Sequence, residues 1–444
     1  MLKRVLTVAS GVALGSVFAL GGAHLAFTWG WFGNRELDKS ANYVREVLAL
    51  VNENYVDGPS AEYSKLTKAA LHGVVESLDP HSEFLEASDY QQLEEEMSSE
   101  FGGIGVQLEQ RNNHVIVISP IADSPSERAG IRRGDELVQI DGNRLDSKSS
   151  SMDAIVGKLR GKPRTRVNVG FLRPSTNKEY QVTLVRELIK FESVRAPEIV
   201  SEGIGYIQIT QFTERTGEEF INALNKLGEK NVGGLIIDLR NNPGGVLDAA
   251  VAVAEPFFKK GELIVYTQGR NPKDRDEYRA ESDEEPLDVP TVVLINAGSA
   301  SAAEIVAGAL RDTGKAVVVG ERSFGKGSVQ SIFKLNNGEG MRLTTARYYT
   351  PSGVTLHEKG VEPHVEIVMS PEEDQNIRLQ RARNDVNEDK AFKERFGVDR
   401  VEDRQLQAGI DIIKAARLLE ARDSLQPAPA AAATAPAPAV PTTK

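Results

Sequence analysis

The spacing of apolar residues along the chain changes twice. From residue 36 to about 97 they recur at helical intervals. Tyr43, Val47, Leu48 and Val51 share one helix face, and Leu66, Ala69, Ala70 and Val74 share another. Residues 77–85, SLDPHSEFL, read as a turn, and residues 87–98 as a solvated acidic helix containing Glu94, Glu95 and Glu96. From residue 100 the period drops to two. Runs at 102–110, 113–121, 135–142, 165–173 and 179–187 read as strands divided by turn residues, with a helical turn at 125–129 and an amphipathic helix at 151–159. Beyond 187, strands at 203–210, 233–240, 291–295, 316–319 and from 328 alternate with helices at 217–227, 246–258 and up to Leu310. Helix 217–227 aligns Phe220, Leu224 and Leu227 on one face. Near-continuous apolar strands alternating with helices predict an α/β layer whose sheet is buried on both faces. Residues 371–423 are charged and helical, and from 426 a Pro/Ala/Thr tract predicts disorder.

The fold class is therefore α/β and multidomain, as 444 residues allow. The divisions are 1–34, 35–97 (helical), 98–187 (a β-domain), 188–370 (an α/β core), 371–425 (helical) and 426–444 (tail). Lys3 and Arg4 precede an apolar run reaching about residue 32, the form of a signal peptide with a small-residue cleavage site after Ala23. Uncleaved, the run is long enough to anchor in a bilayer. Export is expected either way. A net charge of −11 argues against nucleic-acid binding. The chain has no cysteine, which excludes disulfides, thiolate metal sites and a cysteine nucleophile. The N-terminal helices and the charged C-terminal helix lack a core of their own and are expected to serve as assembly elements in a homo-oligomer.

Candidate chemistry concentrates in residues 291–330. Ser301 lies between a buried strand and a helix, where unpaired N–H groups stabilise developing negative charge. Serine at that point is equally a helix cap, and Ser299 competes for either role. Residues 320–328, GERSFGKGS, resemble a phosphate loop, but Gly327 stands where Ser or Thr is required and a strand follows instead of a helix. Lys326 between two glycines can approach another backbone closely, and a buried amine is a usable base. Gln330 could orient it. Residues 236–245, IIDLRNNPGG, end a strand in a turn that can supply oxyanion donors. Residues 101–106, FGGIGV, can present N–H groups to a peptide carboxylate beside a groove open to an added strand. A Ser–His–Asp site using His357 stays open as an alternative, and no His/Asp/Glu spacing resembles a metal site.

Taken together these segments resemble the carboxy-terminal processing peptidases, tail-specific serine–lysine proteases. SLDPHSEFL (77–85) is similar to the signature preceding their PDZ domain. FGGIGV (101–106) and ADSPSERAGIRRGDELVQIDG (122–142) resemble the PDZ domain itself. DLRNNPGG (238–245), GSASAAEI (298–305) and GERSFGKGSVQ (320–330) resemble the protease core. Ala303 departs from the family, many members of which have a second serine there, and the chain after residue 371 is not covered. The resemblance implies an α/β serine peptidase core with an inserted PDZ domain. It implies Ser301 as nucleophile, Lys326 as base, Gln330 as its partner, and Gly244 and Ala302 N–H groups as the oxyanion hole, with Gly245 the alternative to Gly244. Ile104, Gly105 and Val106 would hold the substrate carboxylate, and Arg160 would couple the PDZ domain to the active site. The expected activity is an exported endopeptidase acting without metal or cofactor on proteins bound by their C-termini. It would work in the periplasm, free or tethered to the inner membrane, in turnover of cell-envelope proteins including peptidoglycan hydrolases. An activating adaptor would be a further partner. A non-catalytic PDZ scaffold is the remaining alternative.

Overall fold

In the computed structural model the described residues are 35–111, 114–121, 123–145, 151–382 and 388–425. The expected signal or anchor segment (1–34) and the low-complexity tail (426–444) lie outside them. Among the described residues no helix is long and apolar enough to cross a membrane. The chain forms two compact units, divided near residue 84, with 341–343 belonging to the first.

The first unit carries helices α1 (Arg35–Asn54) and α2 (Tyr63–Glu76), tied where Asn52 Nδ2 donates to the Ala61 carbonyl at 2.8 Å. The helices agree with the periodicity, but α1 buries none of its residues. Its apolar face is open: Tyr43 is 69% and Leu50 53% exposed.

The second unit opens with α3 (Ala87–Ser98) and β1 (Glu100–Gly103), then a β-domain of β2 (Val106–Arg111), β3 (His114–Pro120), β4 (Glu136–Ile140), α4 (Met152–Leu159), β5 (Arg166–Arg173) and β6 (Lys178–Val185). The sheet order is β2-β3-β4-β5-β6, which leaves β2 at an edge. Alternate residues such as Val115, Val117, Val167, Val169 and Phe171 point inward with Ile155 and Leu159 of α4, which is why the run reads with period two. β7 (Glu187–Lys190) returns to pair with β1.

The core follows: β8 (Glu198–Ser201), β9 (Ile204–Gln208), α5 (Thr216–Gly228), β10 (Leu235–Asp238), α6 (Leu247–Ala254), β11 (Leu263–Gly269), β12 (Arg275–Arg279), β13 (Thr291–Ile295), α7 (Ala302–Asp312), β14 (Val317–Gly320), β15 (Ser328–Lys334), β16 (Gly340–Tyr349) and β17 (Val365–Glu366). β9, β10, β13, β14 and β17 lie parallel in that order, with β8 antiparallel at the edge. One face of the sheet, through Ile207, Ile237, Val293 and Val318, packs on α5, α6 and α7. The other, through Tyr206, Ile236, Val292 and Leu294, packs on Ile410 and Ile413 of the last helix. Both faces are covered, so these strands carry no polar alternation.

That last helix corrects one expectation. The C-terminal region forms α8 (Pro371–Ala382), α9 (Asp389–Phe396) and α10 (Arg404–Leu425). One face of α10 is part of this chain's own core, while Leu418 and Leu419 remain exposed. The hydrophobic pattern also passed over the antiparallel pairing of β11 with β12 and β16. β12 reads RDEYR and is held to β11 by its backbone ladder and by Arg275, stacked 3.8 Å from the Tyr266 ring centroid; Arg275 and Arg279, each 2.7 Å from Glu277, pair within the strand.

A buried charge cluster fastens the C-terminal region under the end of β10. Asp238 is fully buried and Arg240 5% exposed. Arg240 Nη2 donates to Asp238 at 2.7 Å and Nη1 to Asp403 at 2.8 Å. Arg381 donates to both aspartates, and Tyr206 Oη adds a bond to Asp238 at 2.7 Å. Burial works against the Arg240 charge, but Asp238 and Asp403 outweigh it and raise its pKa. Two guanidiniums balance two carboxylates, so no net charge is buried. Asp403→Ala should therefore lower the unfolding free energy in a denaturant titration by about 3–5 kcal/mol. Asp283→Ala, which breaks the exposed 2.7 Å pair with Lys260, should cost less than about 1 kcal/mol.

Candidate active site

Ser301 and Ser299, indistinguishable by residue type, have different surroundings. Ser299 is fully buried. Its hydroxyl donates to the Leu239 carbonyl at 2.8 Å and accepts from Asn296 N–H at 3.0 Å, pinning the turn after β13. Ser301 is half-buried at the N-terminus of α7 with φ +55°, a backbone conformation costing about 1–3 kcal/mol for a residue other than glycine. Its Oγ lies 2.8 Å from Tyr348 Oη.

The residue that builds this site was not singled out in the sequence. Glu304, one turn into α7, is fully buried. Its Oε2 accepts from Ser301 N–H and from Lys326 N–H, both at 2.8 Å. Its Oε1 accepts from Gly325 N–H at 2.7 Å and from Ser323 Oγ at 2.5 Å. A buried carboxylate is tolerable only when its lone pairs are filled, and these four donors fill them. One oxygen thus joins the backbone of the serine turn to that of the lysine loop. The signal was present as S-x-x-E, the capping-box spacing.

Lys326 sits in a half-buried loop whose glycines permit close packing. A Cβ on Gly327 would lie 2.3 Å from His357 N, so the approach to another backbone expected around Lys326 is made, and its partner is the 357–360 segment. Gln330, on β15, donates through Nε2 to Thr344 Oγ1 at 2.8 Å, while its Oε1 is buried with no partner, an acceptor available to an amine. Tyr348, on β16, is 3% exposed. Burial pushes its phenol pKa up despite the Ser301 contact, so it stays a neutral hydroxyl.

The 241–245 turn packs directly on the serine. Gly244 has φ +95°, and a Cβ there would meet the Ala300 carbonyl and Ser301 Cβ, each at 2.6 Å. The structure thus brings Gly244, Ser301 and Ala302 together. Gly244 N–H is already donated to Asn242 Oδ1 at 2.8 Å, whereas Ala302 N–H opens α7 and has no acceptor one turn back. Asn241 N–H and Gly298 N–H both donate to Asn296 Oδ1, at 2.8 and 3.0 Å, linking the glycine turn to the serine turn.

In the β-domain, the Ile104 carbonyl accepts from Ser126 N–H at 3.0 Å and the Gly105 carbonyl from Ile121 N–H at 2.9 Å. In a trans peptide the C=O of one residue and the N–H of the next point opposite ways. The N–H groups of Gly105 and Val106 therefore face away from these contacts. A pocket of about 130 Å³ lies here, bordered by Ile104, Gly105, Val106, Leu108, Val156 and Arg160. Arg160 ends α4, stacks 4.7 Å from the Phe101 ring centroid and reaches Glu95 of α3 at 3.6 Å. α3 in turn meets the core, where Glu214 N–H donates to the Met97 carbonyl at 2.9 Å.

Three of the histidines have other engagements. His72 pairs with Glu76, His114 with Glu136, and His364 Nδ1 accepts from Val318 N–H. His357 Nδ1 is buried without a partner and Nε2 is 3.9 Å from Glu358. The hydroxyl beside Ser301 is that of Tyr348, not an imidazole. Among the described residues no group of three His, Asp or Glu side chains is placed to hold a metal ion.

Comparison with known proteins gives matches to the PDZ domain over residues 102–184 and to Peptidase family S41 over residues 203–367. A carboxy-terminal-processing protease of Bartonella bacilliformis is 38% identical over 324 residues, 72% of this chain and 73% of that protein. A carboxyl-terminal-processing protease of Synechocystis is 34% identical over 386 residues, 83% and 88% of the two chains. The solved photosystem II D1 C-terminal processing protease aligns at 29% identity and a TM-score of 0.41, over 73% of this chain and 92% of that one.

The two serines should separate experimentally. Ser299→Ala removes two buried hydrogen bonds and should cost about 1–3 kcal/mol, with the reactivity of Ser301 toward an acylating reagent retained. Glu304→Ala leaves four donors unpaired, should cost more than about 3 kcal/mol, and should abolish that reactivity. Denaturant titration and intact-mass labelling read both.

Proposed function

The chain belongs to peptidase family S41, as a carboxy-terminal processing serine protease with a PDZ domain, and on that premise we propose that Ser301 and Lys326 form its catalytic pair. The observation that carries this is the single Glu304 oxygen bound to the N–H of both residues. Neutral Lys326 takes the Ser301 proton. Oγ attacks the scissile carbonyl, the amine leaves with that proton, and water then resolves the acyl-enzyme with Lys326 again as base. Gln330 Oε1, buried and without a partner in the resting arrangement, is the acceptor that would orient the lysine during the reaction.

Ala302 N–H is one oxyanion donor. Gly244 N–H is the other once its peptide turns from Asn242 Oδ1, and Gly245 N–H is the alternative. The substrate C-terminus lies along the β2 edge, its carboxylate held by the N–H groups of Ile104, Gly105 and Val106. Arg160, through Glu95 on α3, links that groove to the core.

The same reading makes the enzyme an exported one, free in the periplasm or tethered to the inner membrane, on the strength of Lys3, Arg4 and the apolar run after them. It turns over cell-envelope proteins, peptidoglycan hydrolases among them. The open face of α1 serves self-association, and an activating adaptor protein is a further partner. Cell fractionation and the sedimentation mass of the full chain test location and assembly. A cell-envelope proteome captured on Ser301→Ala tests the substrates.

In a peptidase assay Ser301→Ala and Lys326→Ala should each lower kcat by at least about a thousandfold. Because the active form is the neutral amine, kcat/KM should rise with pH; a profile flat from roughly pH 6 to 9 would rule out a lysine base. Amidating the substrate's C-terminus should raise KM or slow activation by about tenfold or more, through loss of the charge-assisted bonds in the groove. Equal processing of acid and amide would remove the carboxylate-binding role.

A further inference from the structure

Among the described residues Tyr348 is the side chain whose hydroxyl lies beside the Ser301 Oγ, and neither the family resemblance nor the matched regions gives it a role. It comes from β16, at the position where Thr267 of β11 pairs across from it. Its backbone N–H donates to the Gly327 carbonyl at 3.0 Å, next to Lys326. Its ring lies in the main core, 3% exposed. Backbone and ring are thus both held, and Oη is delivered to 2.8 Å from Oγ.

We propose that Tyr348 is a third catalytic side chain, whose hydroxyl donates a hydrogen bond to the Ser301 Oγ through both halves of the reaction. This rests on Ser301 and Lys326 being nucleophile and base. Each hydroxyl can donate one hydrogen and accept two. Ser301 must aim its hydrogen at the Lys326 amine to lose it, so Oγ is left to accept from Tyr348. During attack the Oγ–H bond breaks, the proton passes to Lys326 Nζ, and Oγ bonds the carbonyl carbon; the carbon–nitrogen bond then breaks and the leaving amine takes that proton from Lys326, which is neutral again. During deacylation water gives one proton to Lys326 and its oxygen to the acyl carbon. The acyl carbon–Oγ bond then breaks with its electron pair on Oγ, and the Lys326 ammonium returns the proton there. Tyr348 keeps its own proton throughout. A donor fixed on Oγ stabilises the charge it gathers when its bond to hydrogen or to carbon breaks, and the Tyr348 ring that carries this donor is buried. The raised phenol pKa suits this part, since a phenolate could not donate.

The test is Tyr348→Phe, which keeps the ring and removes only the hydroxyl, assayed beside the unaltered chain and Ser301→Ala. The expected result is a kcat lower by roughly ten- to a hundredfold with KM within about twofold. The thermal midpoint and circular dichroism should be unchanged. Intact-mass spectrometry during turnover of an ester substrate should show more acyl-enzyme on Tyr348→Phe, because departure of Oγ is slowed. An unchanged kcat overturns the proposal. A raised kcat also overturns it, since the contact would then be a resting lock on the serine. If Ser301→Ala itself retains full activity, the catalytic pair is what fails, and the two failures are told apart in one experiment.

Discussion

A single fully buried carboxylate sets the geometry of the candidate active site. Glu304 brings no chemistry of its own, but its two oxygens accept from four donors on two segments that are some twenty residues apart in sequence. A charge placed where water cannot reach it must collect hydrogen bonds from whatever backbone is near. Here the backbone near it belongs to the serine turn and the lysine loop. The same bonds that solvate Glu304 internally join the backbone of the serine turn to that of the lysine loop.

The other parts are held by similar economies. Asn296 Oδ1 accepts from Asn241 and Gly298, so one amide links the glycine turn to the serine turn. Asn242 bonds the Ile209 carbonyl and Gly244 N–H from its two ends. Below them the Asp238–Arg240–Asp403–Arg381 cluster anchors the strand end to helices that lie beyond the matched peptidase region. The C-terminal segment is therefore part of what keeps the turn at 241–245 in place. In the β-domain, two carbonyls bound internally turn the following N–H groups outward, a consequence of peptide planarity that requires no side chain.

The buried strands and the helices between them were legible because hydrophobic period reports burial. β13 and β10 are apolar but for Thr291 and Asp238 at their ends and are covered on both faces, and Phe220, Leu224 and Leu227 mark the inner face of α5. β12 was not legible, because its charged residues are held by the backbone ladder to β11 and by an arginine stacked on Tyr266, which leave no apolar period. The α1 face was legible as a helix and misleading as to burial, since period does not say what covers a face. Ser301, Lys326 and the glycines were visible as motifs. Tyr348 was not, since one tyrosine in a strand carries no mark of what its hydroxyl will meet.

Sequence alone determined the α/β core with its sheet buried on both faces, the family and the short segments that carry its motifs, because each of these is written in local period or in contiguous motif. The tertiary structure decided which serine is buried and which is available, where the Glu304 charge goes, which hydroxyl meets Ser301, and that one face of α10 completes this chain's own core. Those outcomes depend on contacts between residues far apart in the chain. No local pattern encodes them, and only the packed backbone fixes which donors and acceptors fall within 3 Å of one another.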